Sequence, residues 1–371
     1  ARGSFGALAP EAAISPSMVV CTYDERYCHA FMITVGIVGA SGFTGAELLR
    51  LAAHHREFEV VVATGDSLVG RRAADLYPSL AAVYPDLVYE AVDLNRLRAL
   101  DLVFLGLPHG ASMAMVPELV DRVGCVVDLS AAYRLTEATK YLEYYGFEHT
   151  EPDLLARAVY GLPELHREAL RGARLVATPG CYVTAATMAL RPLVEAGLID
   201  RTGVIVDAAS GVTGAGRQDD YAYSFTTVDE NMIAYGLLHH RHTPEMEEQI
   251  GVQLLFTPHL VPMSRGILAT CYARPAPGVD VSTDDLLTLL RRRWEGEPFV
   301  VVTDGSPSTK ATIGSNLVHV TARADERTGT IVAIAAIDNL AKGASGGAVQ
   351  AANVALGLDE TTGLGRVGVA P

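Results

Sequence analysis

Two stretches of this chain hold residues whose types and spacing could do covalent chemistry. The first is Thr178-Pro179-Gly180-Cys181-Tyr182-Val183-Thr184, followed by the helix-forming run Ala185–Leu190. Cys181 therefore falls at a helix start, on a tight Pro-Gly turn. The positive end of a helix favours thiolate over thiol, and its free N–H groups can hold an oxyanion. Each unit of pKa lowering is worth about 1.4 kcal/mol, and one or two units would make thiolate substantial at neutral pH. Cys21, Cys28, Cys125 and Cys271 lack such a setting and read as small buried hydrophobes. The second stretch is His239-His240-Arg241-His242-Thr243-Pro244-Glu245. No cysteine or histidine accompanies it at zinc spacing, so no metal is expected. An imidazole flanked by a guanidinium fits proton transfer to and from a thiol better.

A third stretch binds rather than reacts. Gly39-Ala40-Ser41-Gly42-Phe43-Thr44-Gly45 has the spacing G-x-x-G-x-x-G, directly after the apolar run Val35–Val38 and opening an amphipathic segment. Such a turn lets the backbone approach a pyrophosphate that the helix N-terminus attracts. Gly39, Ser41, Gly42, Phe43, Thr44 and Gly45 are its contact residues. The second strand ends Val62-Ala63-Thr64-Gly65 without the carboxylate that usually bonds an NAD ribose. Ser67, Arg71 and Arg72 follow, and hydroxyl and guanidinium groups suit a 2′-phosphate, so NADP is the expected cofactor.

The elements that must position these residues follow a strand–helix–strand order. Short Val/Leu/Ile-rich runs at Val35–Val38, Val60–Ala63, Leu102–Leu105, Val126–Leu129 and Leu175–Ala177 read as buried parallel strands. This predicts an α/β fold: a Rossmann-type doubly wound parallel sheet, then an α+β catalytic domain with a mixed sheet. Strands of the latter are expected to include Val204–Val206, Leu254–Phe256, Leu268–Tyr272 and Val318–Ala322. The expected organisation is a loose leader over 1–31, a dinucleotide domain over 32–177, a catalytic domain over 178–343, and a C-terminal part, 344–371. The last carries a Gly- and Ala-rich helix over Ala344–Leu356.

Composition narrows the partners. The 371 residues carry a net charge of −14, and 49% are hydrophobic. Only Lys140, Lys310 and Lys342 are lysines among 29 basic residues. That balance argues against nucleic acid or an anionic membrane as partner. The longest uncharged stretch, Ala30–Ala46, contains four glycines and is too short to span a bilayer. An odd cysteine count, with no basic start and apolar core at the N-terminus, points to a reducing, cytoplasmic setting.

Taken in order, the motifs resemble the N-acetyl-gamma-glutamyl-phosphate reductase family, within the aspartate-semialdehyde-dehydrogenase-like group. They are the glycine turn, Leu107-Pro108-His109-Gly110, Tyr160-Gly161-Leu162-Pro163-Glu164, Pro179-Gly180-Cys181-Tyr182 and Ser210-Gly211 with Gly214-Ala215-Gly216-Arg217. The His240–Glu245 run, Ser264–Leu268, Gly314-Ser315-Asn316 and Ala336–Leu340 with Lys342-Gly343 complete the set. The resemblance implies Cys181 as nucleophile, His240 as acid/base with His242 as the alternative, and NADP(H) as cofactor, with Pro108 and Asn339 beside it. It also implies a small acyl-phosphate substrate, a C-terminal helix that returns to the first domain near the nicotinamide, and a homodimer or homotetramer. Arg134, Arg217, Arg241 and Arg265 lie in motif segments and, with His242, are the expected substrate contacts. The chain departs from the family at Ala132-Tyr133, where an acidic residue and Phe are common, so whatever positions Arg134 must come from elsewhere.

Overall fold

A computed structural model describes residues 32–369. The 1–31 leader, Cys21 and Cys28 lie outside the described residues. Six strands form the first sheet: β1 (Ile33–Val38), β2 (Phe58–Ala63), β3 (Leu102–Leu105), β4 (Cys125–Asp128), β5 (Val159–Tyr160) and β6 (Leu175–Ala177). Their order is β2-β1-β3-β4-β6-β5, and every neighbouring pair is parallel. Both faces of such a sheet are covered, which is why β3 and β4 are buried at every position. The order of strand addition switches from one side of β1 to the other between β2 and β3, so a crevice opens at the carboxyl ends of β1 and β3, between the glycine turn and Gly106–His109.

The second sheet is mixed. It holds β7 (Val204–Gly211), β8 (Ile233–Ala234), β9 (Leu254–Val261), β10 (Ile267–Ala273), β11 (Val300–Val302), β12 (Val318–Asp325) and β13 (Thr330–Ile337). Their order is β11-β12-β13-β10-β7-β9-β8, with β7–β9 and β11–β12 parallel and the other pairs antiparallel. The 15-residue helix Cys181–Glu195 lies across one face, and the core runs through Val183, Met188, Leu190, Val206, Ala269 and Val320. Alternation along β7, with Val204, Val206 and Ala208 buried and Ile205 and Asp207 exposed, marks the opposite face as open.

The C-terminal helix spans Gly346–Ala355, starting two residues later and ending one earlier than the sequence implied. Ala341–Ser345 ahead of it is a π-helical turn. Gly343 N–H bonds Asp338 O and Ser345 N–H bonds Leu340 O, each five residues back, while the Asp338 carboxylate accepts the Leu340 and Ala341 N–H groups. Such widened turns recur at functional sites. Ala348, Val349, Ala351 and Ala352 join the core of the first sheet with Leu48, Leu49 and Phe104. Small side chains permit that close approach.

Candidate active site

The helix Phe43–Ala52 starts at Gly42 with no side-chain cap and no acid in its first turn, which leaves N–H groups for an anion. Gly39 has φ +84, and a Cβ there would lie 2.3 Å from Gly106 O; one on Gly45 would lie 2.4 Å from Ala40 Cα. Glycine is therefore needed for β1 and β3 to close on the turn and for the helix to pack against it. Gly42, Phe43, Thr44, Pro108 and Asn339 line a cavity of about 440 Å³ together with Cys181. Gly39, Ser41 and Gly45 are outside that lining; the Ser41 carbonyl accepts from Tyr77 Oη at 2.8 Å and Arg217 Nε at 3.0 Å. Asn339 is buried and is held within the catalytic lobe, accepting from Gly266 N–H at 2.8 Å and donating to Thr213 Oγ1 at 3.0 Å.

Ser67, Arg71 and Arg72 sit beyond the end of β2, outside that lining. Arg72 is committed to a two-pronged pair with Asp75, at 2.8 and 3.2 Å. Arg71 bonds only the Asp75 carbonyl, at 3.2 Å. No carboxylate stands at the tip of β2, where Thr64 and Gly65 follow the strand.

Cys181 is the first residue of its helix, after the uncapped Gly180. It sits where two cavities meet, the one above and one of about 500 Å³ lined by Tyr182, Ser210, Tyr223, Asn231, Ile233 and Tyr235. His240, Arg241 and His242 line the larger cavity too, and Arg241 and His242 line both. Neither lining contains an Asp or Glu. In a chain of net charge −14, that makes the site the place an anion can enter.

The expectation of a depressed thiol pKa is corrected by the surroundings. Burial pushes the Cys181 thiol up, and it outweighs the Tyr182 backbone N–H and the Arg134 and Arg241 charges, which pull it down. His240 is pushed down to about 4, by burial and then by Arg241, so it is neutral at pH 7. Its Nδ1 accepts the His242 backbone N–H at 3.0 Å, which leaves the ring proton on Nε2, the donating form. His242 is buried and held well below the ordinary histidine value by burial and the charges around it. Its Nδ1 has no partner, and its ring packs on Gly180, where a Cβ would meet Nε2 at 2.7 Å.

The four arginines divide. Arg134 is buried, with Nη1 at 3.4 Å from Glu245 and Nη2 on Leu129 O at 2.9 Å. The partner missing at Ala132 is thus supplied by Glu245. Arg265 is spent on Glu47 at 2.7 Å and Asp338 at 3.3 Å and lines neither cavity; its structural place is a lobe-to-lobe ion network. Arg241 rests its Nη1 3.1 Å from His109 Nε2, and Arg217 reaches the glycine turn. Neither has a carboxylate partner among the described residues.

Sequence reasoning missed Glu245 as a hub. Fully buried, it accepts the Gly180 N–H at 2.8 Å and the Tyr160 hydroxyl at 2.7 Å besides facing Arg134. It therefore holds the turn that presents Cys181. The signal was available, because Glu245 follows His242 by three residues at a helix start and the two share a face. Gly343 was also missed; its Cα packs so closely that a Cβ would lie 2.9 Å from Cys181 Cβ.

Comparison with known proteins agrees with this architecture. Residues 34–173 match a domain family described as semialdehyde dehydrogenase, NAD binding domain, and residues 181–339 one described as semialdehyde dehydrogenase, dimerisation domain. Aspartate semialdehyde dehydrogenase II from Vibrio cholerae has the same fold, with a TM-score of 0.66 at 15% identity, covering 87% of this chain and 98% of that one. Aspartate semialdehyde dehydrogenase with NADP from Candida albicans gives a TM-score of 0.63 at 16% identity, covering 87% and 98%. A nicotinamide cofactor is what the crevice of this fold takes. Among named relatives, N-acetyl-gamma-glutamyl-phosphate reductase of Desulforudis audaxviator is 49% identical over 350 residues, 92% of this chain and all of that one. The protein of that name from Pseudomonas aeruginosa strain PAO1 is 45% identical over 348 residues, again 92% and 100%. With identity at this level along nearly its whole length, the chain belongs to the N-acetyl-gamma-glutamyl-phosphate reductase family.

Proposed function

We propose that the protein converts N-acetyl-L-glutamyl 5-phosphate to N-acetyl-L-glutamate 5-semialdehyde with NADPH, through a thioester on Cys181, as a step of arginine biosynthesis. The observation that carries this reading is the position of Cys181, where a carboxylate-free cavity bearing Arg241 and two histidines joins the dinucleotide crevice. An acyl phosphate has an electrophilic carbonyl and a good leaving group, so a thiolate needs no further activation of the substrate. His242, packed on the Cys181 turn with its buried Nδ1 unpartnered, takes the thiol proton as Sγ attacks the γ-carbonyl. Inorganic phosphate departs, and Arg241 compensates its charge. When bound, the reduced nicotinamide supplies the hydride that the thioester carbonyl receives. The oxyanion so formed lies at the uncapped helix N-terminus, where His240 Nε2–H donates to it. Its collapse expels Sγ, which recovers its proton from His242 as the aldehyde leaves. The dinucleotide fits the residues present: an uncapped helix start, glycine close approach and a β2 tip without carboxylate, the last favouring NADP over NAD.

We also read the protein as a homo-oligomer, a dimer or a tetramer of such dimers. Ile205, Leu255 and Tyr272 lie in one cross-strand row on the open face of the second sheet, each more than a third exposed, and a second copy of that face would cover them. No helix among the described residues is long and apolar enough to cross a membrane. Cys125, Cys181 and Cys271 are free thiols, which suits the reducing cytoplasm. The test of the chemistry is phosphate-dependent reduction of NADP with N-acetylglutamate semialdehyde, run beside Cys181→Ser. Turnover in the parent alone is expected; turnover that survives in the variant would end the thioester mechanism. Turnover of aspartate semialdehyde instead would reassign the substrate.

A further inference from the structure

Arg217 leaves the catalytic lobe in a loop after β7 and crosses to the other lobe. Its Nε donates to Ser41 O at 3.0 Å, in the middle of the glycine turn. The same carbonyl is held from the other side by Tyr77 Oη at 2.8 Å. Arg217 lines the cavity shared by Gly42, Phe43 and Thr44, yet is missing from the larger cavity to which its neighbours Gly214, Ala215 and Gln218 contribute. Its Nη1 and Nη2 have no hydrogen-bond partner and no carboxylate among the described residues. Its charge also acts on Tyr77 and Tyr89, on the β2 side of the turn, where it opposes the effect of their burial. A guanidinium with two free prongs beside an uncapped helix N-terminus is arranged for a phosphate.

We propose that Arg217 is a dinucleotide ligand rather than a substrate ligand, its guanidinium holding a phosphate of the bound nicotinamide dinucleotide from the opposite lobe. This rests on the nicotinamide-cofactor reading and goes beyond it by assigning the residue. The glycine turn supplies backbone N–H groups, and Arg217 supplies the formal positive charge that the turn itself lacks. Arg241, which lines both cavities, is then the guanidinium left for the acyl phosphate.

The experiment measures NADPH dissociation constants from nicotinamide fluorescence, without acyl substrate, for the parent, Arg217→Gln and Arg217→Lys. A charge-assisted bond of this kind predicts a rise of roughly tenfold or more in Kd for Arg217→Gln, partly restored by Lys. KM for the acyl phosphate at saturating NADPH should stay within about twofold of the parent. NADH titrated in parallel identifies the phosphate. Equal weakening of both cofactors assigns the pyrophosphate, and weakening of NADPH alone assigns the 2′-phosphate. An unchanged Kd overturns the inference, whether KM rises, as a substrate ligand would require, or nothing moves. A parent that binds neither cofactor would instead overturn the cofactor reading on which it stands.

Discussion

Lys342 and Glu164 form an ion pair with no exposed side-chain surface on either partner, Nζ to Oε1 at 2.5 Å. Nζ also reaches Gln350 Oε1 at 2.6 Å, and Gln350 Nε2 donates to Glu164 Oε1 at 2.9 Å. Burial alone would raise the Glu164 carboxyl, but the Lys342 charge and the hydrogen bonds from Lys342 and Gln350 outweigh it and hold it below its ordinary value. Lys342→Met removes the cation and leaves a carboxylate whose Oε2 already has no partner. Breaking one side of a buried pair costs about 3–5 kcal/mol, whereas replacing both sides with apolar residues of similar volume is often close to neutral. Lys342→Met should therefore cost about 3–5 kcal/mol, and Glu164→Leu a similar amount. The double variant should recover most of it, because Gln350 keeps Asn316 and Glu360 as partners. Urea unfolding followed by far-UV circular dichroism measures all three. The pH dependence adds a second check. Without Lys342, the folded-state pKa of Glu164 rises above its unfolded value, so the folded carboxyl keeps its proton more readily and the penalty grows as pH rises. The Lys342→Met deficit should be larger at pH 8 than at pH 5. A single variant costing less than about 1 kcal/mol, or a double variant worse than both singles, would refute the reasoning.

Three further outcomes follow from the site. Gly180→Ala puts a Cβ 2.7 Å from His242 Nε2, so the imidazole must move. kcat should fall roughly tenfold or more with NADPH binding retained, and an unchanged kcat would show that His242 is not the base. Glu245 raises the Cys181 thiol and Arg241 lowers it. The pH midpoint of Cys181 alkylation should thus move down in Glu245→Gln and up in Arg241→Gln, and shifts of the same sign would contradict the site electrostatics. His109, like His240, is pushed down to about 4, chiefly by burial. Unfolding restores the ordinary value of 6.5, so the unfolded chain binds more protons between pH 6.5 and 4. Stability is complete above that window and falls as pH drops through it, by up to about 3 kcal/mol per histidine. Unfolding free energies at pH 7 and 5 should differ less in His240→Asn than in the parent; an identical pH dependence would count against a neutral, buried His240.

Much of the fold was legible because its signals are local. Runs such as Leu102–Leu105 are buried on both faces and so are apolar at every position, and the glycine turn follows its strand directly. The helix-start setting of Cys181, the nucleophile we propose, was legible for the same reason, since a Pro-Gly turn and a helix-forming run flank it. Its pKa was not. Helix position is written in sequence, but the burial that outweighs it comes from residues far along the chain, including Gly343, 162 positions later. The π-helical turn was hidden too, because it depends on the Asp338 carboxylate capturing two N–H groups that an ordinary helix start would leave free. Glu245 is the instructive case: spacing put it beside His242, but only the fold brings it to Gly180, Tyr160 and Arg134.

The arginines show what sequence spacing cannot separate and charge pairing can. All four stand in motif segments, so their positions alone rank them equally. In the fold, Arg265 faces two buried carboxylates and Arg134 faces one; their charges are already compensated, and a substrate anion would have to compete for them. Arg217 and Arg241 face a carbonyl and an imidazole instead. The imidazole is informative. His109 Nδ1 accepts the Ala131 N–H at 3.0 Å, so a neutral ring carries its proton on Nε2, the atom that faces Arg241 Nη1. Two donors cannot satisfy each other, and the contact is one an anion would improve by accepting from both. Substituting Arg265 should therefore lower stability with little change in KM for the acyl phosphate, while substituting Arg241 should raise that KM with little change in stability. A matched pair of Gln variants, scored by urea midpoint and by KM, distinguishes the two classes. Swapped responses would mean that charge compensation in the fold does not predict which arginines meet the substrate.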